Sequence, residues 1–249
     1  MDKDVILSGA ISVKAAIKAG VRDVRAVFAD PRKKTGDMNY IRRLAASKGI
    51  RTEDVSEEII RSMAGDVPHG GVCALAGQRR YEDPLTLLKA ENPFIMLLEG
   101  IEDPYNFGCC IRSAYAAGAT GLIVPRRSWE NAAATVVRSS AGASEFIPTA
   151  CVEDISSVLE QARHIGIKVV AADRKDAVPL YEEDLSVPLI IAVGGHMRGL
   201  SSAVYAHTDR RVYIPYGNDF RNALSSSAAC AVMAFEACRQ RAANASGRV

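Results

Sequence analysis

An amide, a glycine and an arginine fall within seven residues of one another in the stretch Asn106-Phe107-Gly108-Cys109-Cys110-Ile111-Arg112. They follow an apolar run, Phe94–Leu98, and an acidic turn over residues 99–103. This order predicts a buried strand handing over to a helix, the place where an open α/β sheet presents its chemistry. Gly108 permits close backbone approach. Arg112 is placed one turn into a helix that begins at Cys109, where its planar fork can meet a phosphate or steady a developing oxyanion. The plainer reading is an arginine that only neutralises Glu99 or Asp103. A guanidinium is in effect never deprotonated in a protein, so stabilising negative charge suits Arg112 better than acting as a base.

Two later segments hold residues of similar promise. Ala192-Val193-Gly194-Gly195-His196-Met197-Arg198-Gly199-Leu200-Ser201 ends a strand in small residues and turns at Gly194 and Gly195. Such a turn lets backbone groups come close to a ligand. The second, Ile214-Pro215-Tyr216-Gly217-Asn218-Asp219-Phe220-Arg221-Asn222-Ala223-Leu224-Ser225-Ser226-Ser227-Ala228-Ala229, leads from a strand into a helix of small residues.

The elements that must position these residues fall into two halves. In the first, Ser8 or Ser12 caps a helix through Gly20, and Val24–Ala29 is a strand. A helix from about residue 37 to 47, a strand over 50–55, a helix opened by Ser56-Glu57-Glu58 and a closing strand over 69–76 follow. The polar stretch 81–92 is the expected linker, between a domain of residues 1–80 and another of 93–249. Beyond it, strands are predicted at 94–98, 121–124, 146–149, 168–172, 189–193 and 211–214. Helices are predicted at 109–117, 131–139, 155–165, from 201, and at 225–241. That alternation is the pattern of a mostly parallel sheet covered on both faces.

Bulk properties limit the alternatives. The 249 residues are 48% hydrophobic and 24% charged, enough for a sizeable core and unlike a disordered chain. Runs such as Pro188–Val193 are too short to span a bilayer, and the charged start lacks a secretory core, so no membrane is expected. The six cysteines show no paired metal spacing and read as free thiols in a reducing cytoplasm; no metal is expected. Net charge is only +2, yet residues 1–90 hold 16 Lys and Arg against 12 Asp and Glu. A modestly basic front can follow a phosphate backbone, or it is an ordinary solvated face.

With these three segments on view, the chain resembles the SPOUT class of S-adenosylmethionine-dependent RNA methyltransferases, in the branch that methylates ribose 2′-hydroxyls. The strongest likeness is Glu99-Gly100-Ile101-Glu102-Asp103-Pro104-Tyr105-Asn106-Phe107-Gly108 followed by Arg112-Ser113-Ala114. The resemblance implies an α/β fold with a mostly parallel sheet and a deep trefoil knot, a feature the general rarity of knots would argue against. It implies S-adenosyl-L-methionine as methyl donor and structured RNA, ribosomal more readily than transfer RNA, as substrate. It also implies a homodimer formed through the C-terminal domain, and no metal. Asn106, Arg112 and His196 would then be catalytic, and Ala172, Gly194, Gly195, Ile214, Tyr216, Ala223 and Leu224 would hold the adenosine part of the donor.

The first half is similar to a small ribosomal-protein-like RNA-binding module, through Ser8-Gly9-Ala10-Ile11-Ser12-Val13-Lys14-Ala15 and His69-Gly70-Gly71-Val72. Its expected phosphate contacts are Arg42, Arg43, Arg79 and Arg80. Two positions depart from the family. His196 stands where relatives carry glutamate, and is open to readings as a base, an RNA contact, a mark of lost catalysis or a surface residue. Leu224 stands where relatives carry asparagine, with Asn222 and Asn218 as candidates for a substitute amide. A degenerate RNA- or donor-binding protein is therefore the competing expectation. A dehydrogenase is remote, because no glycine-rich nucleotide fingerprint follows an early strand.

Overall fold

The computed structural model describes residues 4–126 and 132–245, which divide into two compact units. The chain begins with β1 (Val5–Ser8), α1 (Ala10–Ala19), β2 (Val24–Ala29), α2 (Gly36–Ser47), β3 (Arg51–Asp54), α3 (Glu57–Ala64) and β4 (Val72–Ala76). Their strands form a sheet in the order β1-β4-β2-β3, with only β2 and β3 parallel. Thr35 caps α2 by accepting from the Met38 N–H, and Met38, Ile41 and Ala45 then recur at helical spacing on its buried face.

The chain continues through α4 (Pro84–Leu88), β5 (Phe94–Glu99), α5 (Pro104–Ala116), β6 (Gly121–Pro125), α6 (Ala133–Ser139), α7 (Ala143–Phe146), β7 (Thr149–Val152), α8 (Ile155–His164) and β8 (Lys168–Ala172). It ends with β9 (Val178–Pro179), a short 3-10 turn, β10 (Leu189–Gly194), α9 (Ser202–Ala206), β11 (Arg210–Tyr213) and α10 (Ser226–Ala245). Seven strands make a parallel sheet in the order β7-β6-β5-β10-β8-β11-β9. At its centre, Ile95, Met96, Leu97, Ile190, Ile191 and Ala192 are wholly buried, as a strand covered on both faces requires. Each such Ile or Leu contributes about 1.5–3 kcal/mol of burial.

The segment 132–146, although it lies between β6 and β7 of the parallel sheet, packs into the first unit. Ala133 and Val137 join the core that holds Leu7, Val27 and Ile41. Gly142 lies against α1, where an added Cβ would stand 2.6 Å from that of Ala15. Glu145, wholly buried, accepts from Arg22 Nε at 2.8 Å, and Arg79 lies 3.8 Å from its other oxygen.

Several elements begin elsewhere than their sequence suggests. Helix α1 is capped at Gly9; Ser8 closes β1, a strand not anticipated, and Ser12 is buried inside the helix. Helix α5 begins five residues before Cys109, because Asp103 caps it by accepting from the Tyr105 and Asn106 N–H groups and Pro104 occupies the first turn. Arg112 is consequently its ninth residue, more than two turns in. Residues 84–88, inside the polar stretch, form α4 on the same Asp-Pro pattern, with Leu87 and Leu88 in the core of the parallel sheet. Strand β7 starts at Thr149 because residues 143–146 are helical and Pro148 cannot donate to a ladder. Asn131, the expected start of α6, and the tail 246–249 lie outside the described residues. Cys73, Cys110 and Cys230 are buried thiols, and Cys109 is exposed. Among the described residues no helix is long and apolar enough to cross a membrane, and no group of three or more His, Cys, Asp or Glu is arranged to hold a metal ion.

Candidate active site

Strand order reverses between β5 and β10, and the crevice beyond the carboxyl ends of such a pair is where open α/β sheets place ligands. The two strand ends are fused by backbone. Gly195 N–H donates to Glu99 O at 2.8 Å, and a Cβ on Gly195 would fall 1.7 Å from the Gly100 carbonyl oxygen. The Glu99 carboxylate accepts from Ser201 N–H at 2.7 Å, tying the far side of the glycine turn to β5. Ser226 Oγ donates to Gly194 O at 2.9 Å, and so anchors the start of α10 to the end of β10.

Beside this junction lies a cleft of about 540 Å³ whose walls include Gly100, Asp103, Asn106, His196, Ala223 and Ser226. Ser227 Oγ donates to Asn106 Oδ1 at 3.2 Å, which leaves the Asn106 NH₂ uncommitted among the described residues. That amide is placed to donate to an oxygen in the cleft. His196 and Met197 are exposed on the turn, and the neighbouring Arg198 pairs with Glu102 at 2.9 Å. Arg112 is exposed and makes no hydrogen bond or ion pair among the described residues. The expectation that it neutralises Glu99 or Asp103 is not met, since backbone N–H groups occupy both carboxylates. It is also absent from the cleft walls: six residues beyond Asn106, it sits about 240° around the helix.

The expected donor-binding residues follow the ends of three adjacent strands: Ala172 ends β8, Gly194 ends β10, and Ile214 succeeds β11. From Ile214 to Leu224 the chain has no regular structure. Its only internal backbone bond among the described residues runs from Phe220 N–H to Asn218 O. The loop is shaped by side chains. Leu224 N–H donates to Tyr216 Oη at 3.2 Å, and Arg174 lies 5.4 Å from the Tyr216 ring centroid while donating to Arg221 O at 2.8 Å. Asn218 and Asn222 are exposed, and neither side-chain amide has a partner among the described residues, so neither reproduces a fixed amide at position 224.

Asp173, just past β8, braces this region. Burial works to raise its pKa, but hydrogen bonds from Lys175, Tyr205 and Arg174, with the Arg211 charge, hold it below the usual carboxylate range. Burial and the same Asp173 push the Tyr205 hydroxyl up to about 12. Arg211 stacks on the Tyr205 ring at 4.5 Å. Sequence reasoning missed Glu99, Ser226 and Ser227 as site residues, although the serine run ahead of a small-residue helix is a visible capping signal.

Of the four arginines expected to meet RNA phosphates, only Arg43 is exposed and without a partner among the described residues. Arg42 pairs with Asp54, and Arg80 donates to Gly20 O. Arg79 is a correction: its side chain is 9% exposed, lies beside Glu145 and donates to Ser144 O, so it holds the unit together.

The family model described as SpoU rRNA Methylase family matches residues 93–235, and that described as RNA 2′-O ribose methyltransferase substrate binding matches residues 6–82. A 23S rRNA (guanosine-2′-O-)-methyltransferase RlmB from Xanthomonas axonopodis pv. citri is 31% identical over 238 residues, covering 94% of this chain and 95% of the relative. Its counterpart from Shewanella oneidensis is 29% identical over 245 residues, covering 97% and 99%. Among solved structures, the SpoU methyltransferase AviRb from Streptomyces viridochromogenes in complex with AdoMet superposes with a TM-score of 0.79 at 24% identity, covering 96% of this chain and 91% of that one.

Proposed function

The chain belongs to the SpoU rRNA methylase family, and from that premise we propose that it transfers a methyl group from S-adenosyl-L-methionine to a ribose 2′-hydroxyl of ribosomal RNA. The observation that carries the reading is the crevice between β5 and β10, where the fused glycine turns, the Asn106 amide, uncommitted among the described residues, and the irregular 214–224 loop meet at adjacent strand ends. The residues present fit the donor: apart from the Leu224 N–H and the Arg221 carbonyl, much of the 214–224 backbone has no partner among the described residues and can read the edge of an adenine, beside the Tyr216 ring.

When bound, the donor supplies a methyl group already activated on a sulfonium. The protein's part is alignment and stabilisation of charge on the acceptor oxygen. Asn106 orients the acceptor; Arg112, on another side of α5 and outside the walls of this cleft, steadies the alkoxide from the second copy of the chain. His196 faces the cleft and takes the proton. The loops at Gly194–Gly195 and 214–224, with Ala172, Ala223 and Leu224, hold the donor. Residues 1–80 bind RNA and 93–249 carry the transfer. The protein works in the cytoplasm as a homodimer whose knotted C-terminal region contributes the interface; half-exposed Tyr105, Tyr115 and Phe235 on α5 and α10 support that assignment.

The departures at His196 and Leu224 favour a second reading, a member that binds donor or RNA without turnover. Incubation with radiolabelled S-adenosylmethionine and unmodified ribosomal and transfer RNA separates the two. Label in a 2′-O-methyl nucleotide, lost in Arg112→Ala, is the expected result; donor binding without label on any RNA establishes the second reading. A turnover lost in His196→Gln while donor and RNA affinity stay unchanged identifies the imidazole as the base.

A further inference from the structure

In the first unit, a groove of about 250 Å³ lies between α1, α2 and the 141–146 segment, lined by Ile11, Lys14, Lys18, Tyr40, Ala141 and Phe146. Three of these are large apolar or aromatic side chains left in solvent: Ile11 is 57% exposed, Phe146 39% and Tyr40 37%. The charges around them are mostly basic. Lys18 Nζ lies 5.1 Å from the Tyr40 ring centroid, and Lys14 pairs with Asp37, the carboxylate on the facing helix, at 2.8 Å. Arg43, three residues on from Tyr40, stands on the same side of α2.

The groove is built rather than incidental. Phe146 follows Glu145, whose buried bond to Arg22 fixes the end of α7. Gly142 lets that segment close on Ala15 of α1, as no larger residue can. Aromatic faces flanked by ammonium and guanidinium groups are the arrangement that receives an unstacked base and its phosphate.

We infer that this groove binds one unpaired nucleotide of the RNA substrate, its base against Tyr40 and Phe146 and its phosphates toward Lys18 and Arg43. The inference rests on the RNA-methylating reading above and names where that RNA is gripped away from the chemistry.

The test uses the full chain and unmodified 23S ribosomal RNA, measuring RNA affinity across a salt series, donor affinity, and KM and kcat for RNA. Tyr40→Ala is expected to weaken RNA binding about tenfold and raise KM alike, the scale of one lost base stack. Tyr40→Trp should restore binding, with donor affinity and kcat unchanged in both. Lys18→Gln should reduce the salt dependence by about one released counterion. Ultraviolet cross-linking should place RNA on the peptide carrying Tyr40. Unchanged RNA affinity and KM in Tyr40→Ala and Lys18→Gln, in a chain that still methylates, overturns the inference alone. An effect seen only on assembled ribosomal particles and not on naked RNA makes the groove a protein contact and overturns it as well. If the unaltered chain neither binds nor methylates RNA, the proposed function fails and the groove assignment falls with it.

Discussion

Asn106 and Arg112 share one helix, yet they serve different surfaces, and this separation divides their expected phenotypes. Asn106 is held by Ser227 at the cleft, whereas Arg112 is a guanidinium fork on an exposed face, without a partner among the described residues. Arg112→Lys should leave folding and donor affinity intact while lowering kcat about 100-fold or more, the scale of losing one preorganised donor to a developing oxyanion. A lysine variant with wild-type turnover would remove the guanidinium from the mechanism. The Asp173–Tyr205 pair makes a prediction in pH. The Asp173 pKa is depressed, so its contribution to stability is complete above about pH 4 and is lost as pH falls through its lower folded value. The Tyr205 pKa is raised to about 12, so its contribution is complete below about pH 10 and is lost as pH rises through 12. Melting temperature against pH should therefore lose part of its alkaline limb in Tyr205→Phe and part of its acid limb in Asp173→Asn. Superimposable limbs in wild type and variants would sink the assignment. Of this site, the residue types Asn106, Gly194 and His196 were readable from sequence. The brace at Asp173 and Tyr205 was not, because it joins residues 32 apart through burial that no local pattern reveals.

At the level of elements, the junction of β5 and β10 has no room for even one carbon. Gly195→Ala would drive a Cβ into the Gly100 carbonyl, between two backbones that cannot both yield. It is expected to cost about 3 kcal/mol or more and to abolish donor binding, read by denaturant unfolding and calorimetric titration. Gly217→Ala, in the neighbouring loop and with open space around it, should be neutral within about 0.5 kcal/mol. Equal effects at the two positions would show that loop flexibility, not steric closeness, governs the site. The central strands were plain in the sequence because buried parallel strands read as unbroken apolar runs. The start of α5 was misplaced because Asp103-Pro104 reads as a turn when taken alone; it becomes a cap only when Asn106 and Tyr105 donate to its carboxylate. The register of Asn106 and Arg112 on the helix depended on that detail.

Across the whole molecule, the assignment of α6 and α7 to the first unit was hidden for a different reason. A helix following β6 reads as an ordinary crossover in a parallel sheet. Long-range contacts reveal its other allegiance: the Arg22–Glu145 pair, 123 residues apart in the chain, and the entry of Ala133 and Val137 into the first unit's core. Glu145→Ala would strand Arg22, whose side chain is 5% exposed, without its anion. It should destabilise the first unit by about 3–5 kcal/mol. Hydrogen exchange should register the loss in β1, α1 and α7, with the centre of the seven-stranded sheet protected as before; a loss shared evenly by both units would contradict this. The embedding of residues 132–146 also bears on how the polypeptide survives cutting. A protease that nicks the chain just after Arg80 severs its covalent continuity there but leaves an inserted piece of the downstream fragment inside the upstream one. The two fragments should co-elute under native conditions and part only in denaturant, so the nicked chain behaves as a complemented pair.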